Sequence, residues 1–329
     1  MGFIEVHGQN HAVKILKSAV KTGRISHSYL FYGTDGVGKN KTATIFAQLL
    51  NCERRQGDDP CGECDNCRKI KSGNHPDLLK IEPDGAALKI SQMRKLQEKA
   101  YYRCYEGRFK VIMIDDAHLM TIEAANCLLK ILEEPPEDTV FILMVEDTKK
   151  LPSTILSRTQ AISFVPLDEN VLADILVKQG IETSIPLSLA RGSAKRALEL
   201  VRDADFQQLL HNVIQLMQDL KHGGYQKILG WSEILEKDKS RTEIMLNLLA
   251  TIYRDRLVRQ AVGEQDVILK AETLHEGYYG KATCCAALEE INKAHYFMLN
   301  NGNTRLILDV LFLKLHQIEE KERGIDPVG

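Results

Sequence analysis

The chain has 329 residues, 44% of them hydrophobic, enough for two or three domains with sizeable cores. Its 43 basic and 45 acidic side chains leave a formal net charge of −2, which argues against a free-standing, non-specific nucleic-acid binder while leaving room for a local basic patch. No apolar run follows a basic start and no stretch approaches the roughly 20 apolar residues of a membrane span, so a cytosolic chain with no signal peptide and no membrane segment is expected. Its eight cysteines are then thiols or metal ligands rather than disulfides.

The first half alternates strand and helix. "SYLFYG" (28–33) reads as a short buried strand that runs into "GTDGVGKNK" (33–41). Gly33, Gly38 and Lys39 complete a G-x-x-x-x-G-K phosphate-binding pattern, with Gly36 inside it. In such a loop the backbone N–H groups and the helix N-terminus point at phosphate oxygens and the lysine supplies a point charge. The next residue should carry a hydroxyl for Mg²⁺, and here it is Asn40. Beyond it Thr42, Ile45, Phe46, Leu49 and Leu50 recur at helical spacing.

A second constellation follows at once. Cys52, Cys61, Cys64 and Cys67 are spaced C-x8-C-x2-C-x2-C in "NCERRQGDDPCGECDNC". Four thiolates close a tetrahedral zinc shell and leave no open position for water, so the site reads as structural. A redox dithiol or unrelated thiols is the competing reading. Cys104, Cys127, Cys284 and Cys285 lack such spacing and read as packing residues.

"DLLKIEP" (77–83) is the second expected strand, followed by a helix over "ISQMRKLQEKAYY" with Ser91 as its cap. The third, "KVIMID" (110–115), ends in two acids, Asp115 and Asp116. In phosphate-loop NTPases the first such acid sits near Mg²⁺ and the second, usually Glu, helps activate water. Asp116 is one methylene short for that task; a solvated strand end is the plainer reading of the pair. Thr121 caps the next helix, Ala125, Leu128, Leu129 and Leu132 form its stripe, and Pro135 and Pro136 stop it. "TVFILMVED" (139–147) and "AISFVP" (161–166) are the remaining strands. Near-continuous apolar strands separated by helices imply an α/β domain with a parallel sheet covered on both faces. After Pro166 the chain reads as all-α, in short helices to 204 and longer ones over 205–320. "LILDVLFLKL" is apolar nearly all round, broken by Asp309 and Lys314, and is expected to be buried on several sides. His27 and His118 read as structural and Trp231 as core.

The cysteine insertion after the loop's helix, then "HPDLLKIEP", "LLKILEEPP" and "LPSTILSRT", together with "GQNHAVKILKSAVKTGRISHSYLFYG" (8–33), resemble the bacterial clamp-loader subunits of the AAA+ class. The resemblance is strong over residues 1–200 and rests beyond them mainly on "NTRLILDVLFLKL" (303–315). It implies an AAA+ phosphate-loop domain over 1–165 with the zinc module at 52–67, a helical lid over 166–204 and a helical collar over 205–329. Two kinds of relative compete, the gamma/tau motor and the delta-prime subunit. The motor carries Lys-Thr or Lys-Ser, Asp-Glu and polar threonines after the fourth strand; this chain has Lys39-Asn40, Asp115-Asp116 and Val145-Glu146. Those departures, with a length that leaves no long tail, suit the delta-prime type.

"SRT" (157–159) corresponds to the family's Ser-Arg-Cys motif with Thr159 in place of Cys, so the resemblance makes Arg158 a finger reaching a neighbour's ATP. In "ARGSAKRALEL" Lys195 occupies or adjoins the sensor-2 arginine position and Arg196 follows; which of them faces a phosphate stays open. The implied partners are gamma/tau and delta subunits in a hetero-pentamer, a sliding clamp and primed DNA. ATP or ADP binding by the chain's own loop, with or without Mg²⁺, is left open, hydrolysis being the more impaired. Two other readings stay beside this one: an active motor with unusual substitutions, and a zinc-bearing adaptor with no nucleotide role.

Overall fold

The computed structural model describes residues 2–322 apart from 56, 86, 182–186, 262–279 and 301. The chain divides into two compact units, Met1–Ile181 with Ala190–Arg196, and Glu182–Leu189 with Ala197–Gly329.

In the first unit the order is α1 (Asn10–Thr22), β1 (Ser28–Tyr32), α2 (Lys39–Asn51), α3 (Asp65–Ser72), β2 (Leu78–Ile81), α4 (Ile90–Ala100), β3 (Lys110–Ile114), α5 (Ile122–Glu133), β4 (Thr139–Val145), α6 (Ser153–Leu156), β5 (Gln160–Ser163) and α7 (Glu169–Lys178). The five strands form one parallel sheet in the order β2-β3-β4-β1-β5. All seven residues of β4 are buried, as a central strand covered on both faces requires. Alternate side chains go to opposite faces. Tyr29, Phe31, Val111, Met113, Ile142 and Met144 join a core with residues of α1 and α2. Leu30, Ile112, Ile114, Phe141, Leu143 and Val145 join another with residues of α4 and α5.

β1, β3 and β4 stop before Gly33, Asp115 and Glu146, and the N–H groups of Gly33 and Asp115 make the last bonds to the neighbouring strands before the chain enters the loops. Gly33 follows β1 and Asp115 follows β3, with β4 between the two strands. This places the phosphate loop and the paired acids along the carboxyl edge of the sheet, where open α/β sheets bind ligands.

One cap differs from expectation. Ser91 lies inside the first turn of α4, and Lys89 is the residue with extended backbone before it. The Lys89 N–H donates to Gln92 Oε1 at 3.0 Å, so the glutamine three residues on satisfies the orphan donor at this end. Thr121 does cap α5, its Oγ1 accepting from the Ala124 N–H at 3.2 Å.

The remaining helices are α8 (Ala194–Arg202), α9 (Ala204–His222), α10 (Tyr225–Leu235), α11 (Lys239–Ala261), α12 (Lys281–Leu299) and α13 (Thr304–Glu322). In the second unit α9 to α13 share one apolar core around Leu216, Leu249, Tyr253 and Phe312. A buried ion pair, Arg256 to Glu319 at 2.8 Å, also takes the Tyr253 hydroxyl at 2.7 Å. Trp231 is only half-buried and donates through Nε1 to Asp219 at 3.0 Å. Within this unit α13 is not buried all round. Leu308, Leu311, Phe312 and Leu315 face the core, while Leu306 and Val310 are 63% and 45% exposed, and Phe297 and Leu299 of α12 are 54% and 77% exposed. Among the described residues no helix is long and apolar enough to cross a membrane.

Candidate nucleotide site and metal centre

The phosphate loop joins β1 to α2. Lys39 opens the helix and is buried, and its ammonium donates to the carbonyls of Gly33 and, at 3.0 Å, Thr34. Burial pushes its pKa down, while Asp35, Asp115, Glu146 and Asp116 act in the opposite direction. Asn40 points across the loop, and its Nδ2 donates to Asp115 Oδ2 at 3.3 Å. Two residues on, the Thr42 hydroxyl cannot substitute for the missing one. It is fully buried and donates back to the Gly38 carbonyl at 2.8 Å, inside the helix.

Asp115 has its other oxygen engaged as well, with Oδ1 accepting from the Asp116 N–H at 3.1 Å. Asp116 adopts left-handed backbone (φ 44°), uncommon for any residue but glycine. Burial and then the adjacent Asp115 carboxylate raise the Asp116 pKa. His118 Nδ1 is 4.0 Å from Asp116 Oδ1. Glu146, at the end of β4, is taken by Lys150 at 2.8 Å, which lowers its pKa.

Lys195 and the segment before it close on the loop from outside. Its ammonium pairs with Asp35 at 2.8 Å, and the Ala194 N–H donates to the Gly36 carbonyl at 3.0 Å. Asp35 also accepts from the Gly36 N–H at 2.8 Å. Burial opposes ionisation of Asp35, but the Lys195 hydrogen bond and charge outweigh it and hold the carboxyl below its ordinary value. Gly36 has φ +77°, and a Cβ there would lie 2.3 Å from Ser193 Oγ, so only glycine fits beneath this segment. Lys195 thus reaches the loop through Asp35; both it and Arg196 are exposed.

Gly33, Gly36, Gly38, Lys39, Asn40, Asp115, Asp116 and Lys195 therefore gather at one edge of the sheet. Arg158 makes its contacts elsewhere. It follows α6, and its guanidinium pairs with Glu133 at the end of α5 (2.8 Å) while donating to the Thr154 carbonyl at 3.0 Å and Ser157 Oγ at 3.2 Å. The side chain remains 36% exposed, with both terminal nitrogens of its fork engaged by these local partners.

The other end of α2 carries the cysteines. Cys52 is its C-cap, Cys64 precedes α3 and Cys67 lies within it. The four sulfurs of Cys52, Cys61, Cys64 and Cys67 all lie within 4.8 Å of one another, and all four are free thiols. A tetrahedral metal with bonds of about 2.3 Å would hold sulfurs about 3.8 Å apart, close to the 4.0 Å between Cys61 and Cys67, so the cluster can hold a metal ion after a contraction of at most about 1 Å. The Cys61 N–H donates to Cys52 Sγ at 3.2 Å and the Cys64 N–H to Cys61 Sγ at 3.3 Å. Backbone N–H groups of Cys64 and Glu63 draw the Cys61 thiol down to about 6, whereas burial pushes Cys52 and Cys67 up.

A buried polar network that sequence reading passed over supports this module. Gln48 Nε2 donates to the Cys67 carbonyl at 2.7 Å, and Asn66 Nδ2 to the Asn51 carbonyl at 3.0 Å. His75 Nδ1 accepts from the Asp77 N–H at 3.1 Å, so its proton sits on Nε2, 3.2 Å from Asn66 Oδ1. Burial keeps His75 below its usual pKa, consistent with that neutral tautomer. Asp77 accepts the N–H groups of Tyr105, Glu106 and Gly107, each at 2.8 Å. Asn51 Oδ1 accepts from the Phe109 N–H at 2.8 Å. The cysteine module is thereby tied to the turn before β3. The only sequence signal was "HPD", which carried resemblance without a role.

A family model described as DNA polymerase III, delta subunit, matches residues 8–168. Subunit delta' of DNA polymerase III from Bacillus subtilis is 36% identical over 267 residues, which are 79% of this chain and 80% of that protein. Subunit tau/gamma from Haemophilus influenzae is 36% identical over 288 residues, but the match spans only 40% of that relative. A DNA polymerase III gamma-subunit-related protein from Thermotoga maritima aligns with 94% of this chain and 99% of its own at 18% identity, with a TM-score of 0.45. The delta' match, at 36% identity over most of both chains, places the chain: it belongs to the family of DNA polymerase III clamp-loader subunits, of which the tau/gamma proteins are relatives.

Proposed function

We propose that the chain is a delta-prime-type subunit, a stationary member of the hetero-pentamer that opens a sliding clamp and loads it onto primed DNA in the cytoplasm. The observation that carries this is the contrast between Asn40, bonded to Asp115 where a motor needs a metal-binding hydroxyl, and Arg158, partly exposed with its guanidinium oriented by Glu133, Thr154 and Ser157, which a phosphate can replace. Its own loop keeps the backbone and Lys39 for a nucleotide but lacks an efficient route to hydrolysis. Arg158 acts as a trans arginine finger on the ATP of an adjoining gamma/tau subunit. Arginine suits that task because its planar guanidinium stays charged and donates two hydrogen bonds to phosphate oxygens. Zinc, held by Cys52, Cys61, Cys64 and Cys67, serves folding. The parts are an AAA+ domain over 1–165, a lid over 166–204 and a collar over 205–329, whose exposed Phe297, Leu299, Leu306 and Val310 pack in a ring with the collars of gamma/tau and delta neighbours.

The test is reconstitution with Arg158→Ala and Arg158→Lys. Arginine fingers in other nucleotide hydrolases contribute roughly 10³ to 10⁵ in rate at the site they serve. A loader with several ATP sites loses less in total, because only the site facing Arg158 is affected. The Ala variant should assemble normally yet show lowered clamp- and DNA-stimulated ATP turnover and lowered loading. The Lys variant should rescue poorly, since an ammonium lacks the fork. Unchanged loading by a properly assembled Ala variant removes the finger role, and robust ATP turnover by the unmodified isolated chain favours the motor reading.

A further inference from the structure

The residues around the phosphate loop do not fit a Mg²⁺ ion. Mg²⁺ needs oxygen ligands in near-ideal octahedral geometry and gives up its water reluctantly. At the position of the usual hydroxyl, Asn40 presents Nδ2, a donor, to Asp115 Oδ2 at 3.3 Å. The second oxygen of Asp115 is held by the Asp116 N–H. To receive a cation directly, Asn40 would have to give up that bond and turn its Oδ1 inward, and Asp115 would have to release the amide on Oδ2 or use the remaining lone pair of Oδ1. The hydroxyls on the first turns of α2 are committed too, Thr42 to the Gly38 carbonyl at 2.8 Å and Thr44 to the Asn40 carbonyl at 2.9 Å. Asp35 is held by Lys195 and the Gly36 N–H, and Glu146 by Lys150.

The anion-binding half of the site is untouched by this. Lys39 opens α2 after a glycine-rich turn, and among the described residues its ammonium donates to the carbonyls of Gly33 and Thr34, partners that a phosphate can replace. The amides at the start of a 13-residue helix favour negative charge.

We infer that this loop binds nucleoside diphosphate without Mg²⁺, the Asn40–Asp115 hydrogen bond standing where the cation would bridge. The inference rests on reading the loop as a nucleotide site. The ligand class follows from charge. Asp35, Asp115, Asp116 and Glu146 lie close enough to act on Lys39. Among the described residues Asp35 and Glu146 are offset by Lys195 and Lys150, but Asp115 and Asp116 have no lysine or arginine partner, so each further phosphate charge is repelled and ADP should bind at least as well as ATP.

The experiment is calorimetric titration of the full chain with ADP and with ATP, in excess Mg²⁺ and again in EDTA. The ADP dissociation constant should agree within about twofold between the two conditions, with ATP no tighter than ADP. Asn40→Thr, which supplies the hydroxyl and frees Asp115 Oδ2, should make ATP binding fall by about tenfold or more in EDTA. Lys39→Ala should abolish binding in both conditions; if binding persists there, it lies elsewhere and the inference fails. ADP affinity of the unmodified chain that drops by about tenfold or more in EDTA overturns the inference while leaving the nucleotide reading intact. No ADP binding in either condition, by a chain with an unchanged melting profile, overturns both. An Asn40→Thr variant indifferent to EDTA removes Asn40 as the determinant.

Discussion

The two ends of α2 carry two sites of opposite readiness. At its C-terminus the cysteine cluster has four donors of one kind, converging within 4.8 Å, and N–H···S contacts that orient the sulfurs without exhausting their lone pairs. At its N-terminus the acids that would face a metal are already matched, Asp115 by Asn40 and a backbone N–H, Asp35 by Lys195, Glu146 by Lys150. Both arrangements satisfy polar groups. Only the first brings four donors of one kind to one point. Whether the donor atoms are free or spent separates the two more clearly than the presence of the expected residue types.

The largest expected effect would break the cysteine side of that contrast. One zinc per chain should be found by elemental analysis. Its removal by chelation, or Cys64→Ser, should strip amide-exchange protection from residues 52–70 and leave the sheet protected. Structural zinc contributes on the order of 10 kcal/mol in small zinc peptides, an upper scale for a module that is an insertion in a larger core. A metal-free protein with Cys61 and Cys64 joined in a disulfide would end the claim.

Next in size is the support beneath that module. Asp77→Asn keeps the shape but loses the charge that three backbone N–H groups share, and should cost about 2 kcal/mol or more in thermal or denaturant unfolding. A direction in pH follows. Burial opposes ionisation of Asp77, yet the N–H groups of Gly107, Tyr105 and Glu106 outweigh it and hold the folded-state pKa below the ordinary value. The stabilisation is therefore fully present above the unfolded carboxyl's pKa of about 3.9 and fades as pH falls through the lower folded value. The wild-type minus Asn difference should shrink on acidification; a constant difference would mean that shape, not charge, matters there.

The smallest effect sharpens the loop side. The Lys195–Asp35 pair is more than half exposed at both ends, 62% and 57%, so Lys195→Ala should change stability by less than about 1 kcal/mol. A larger loss would mean that the segment 193–195 is held on the loop by this pair and not by backbone contact and packing at Gly36.

The sheet and its helices were legible because their signals are periodic and strong. Strands such as "TVFILMV" are apolar without interruption, and α5 carries its threonine cap and its prolines in plain view. The cysteine set was legible from spacing alone. The cap of α4 was misread because a glutamine three residues on can satisfy a backbone donor as well as a serine can. The Asn51, Asn66, His75 and Asp77 network was missed because buried polar residues have no periodic mark; their partners lie up to 58 residues away. The exposure of Leu306 and Val310 was hidden by composition, since an all-apolar helix looks the same whether its outer face meets a core or waits for another chain.

Gly36 and Gly33 bear on how such loops persist. A side chain at Gly36 would strike Ser193, and one at Gly33, with φ +147°, would come 2.2 Å from the Phe164 carbonyl oxygen. Both glycines are thus demanded by packing, whatever the loop binds. Position 40 is exposed, and its side chain meets Asp115 across the loop rather than a packed wall. A lineage that stops hydrolysing nucleotide can therefore lose the hydroxyl while its fold goes on enforcing the glycines. The glycine pattern is a record of shape, and the residue after the lysine is the record of chemistry.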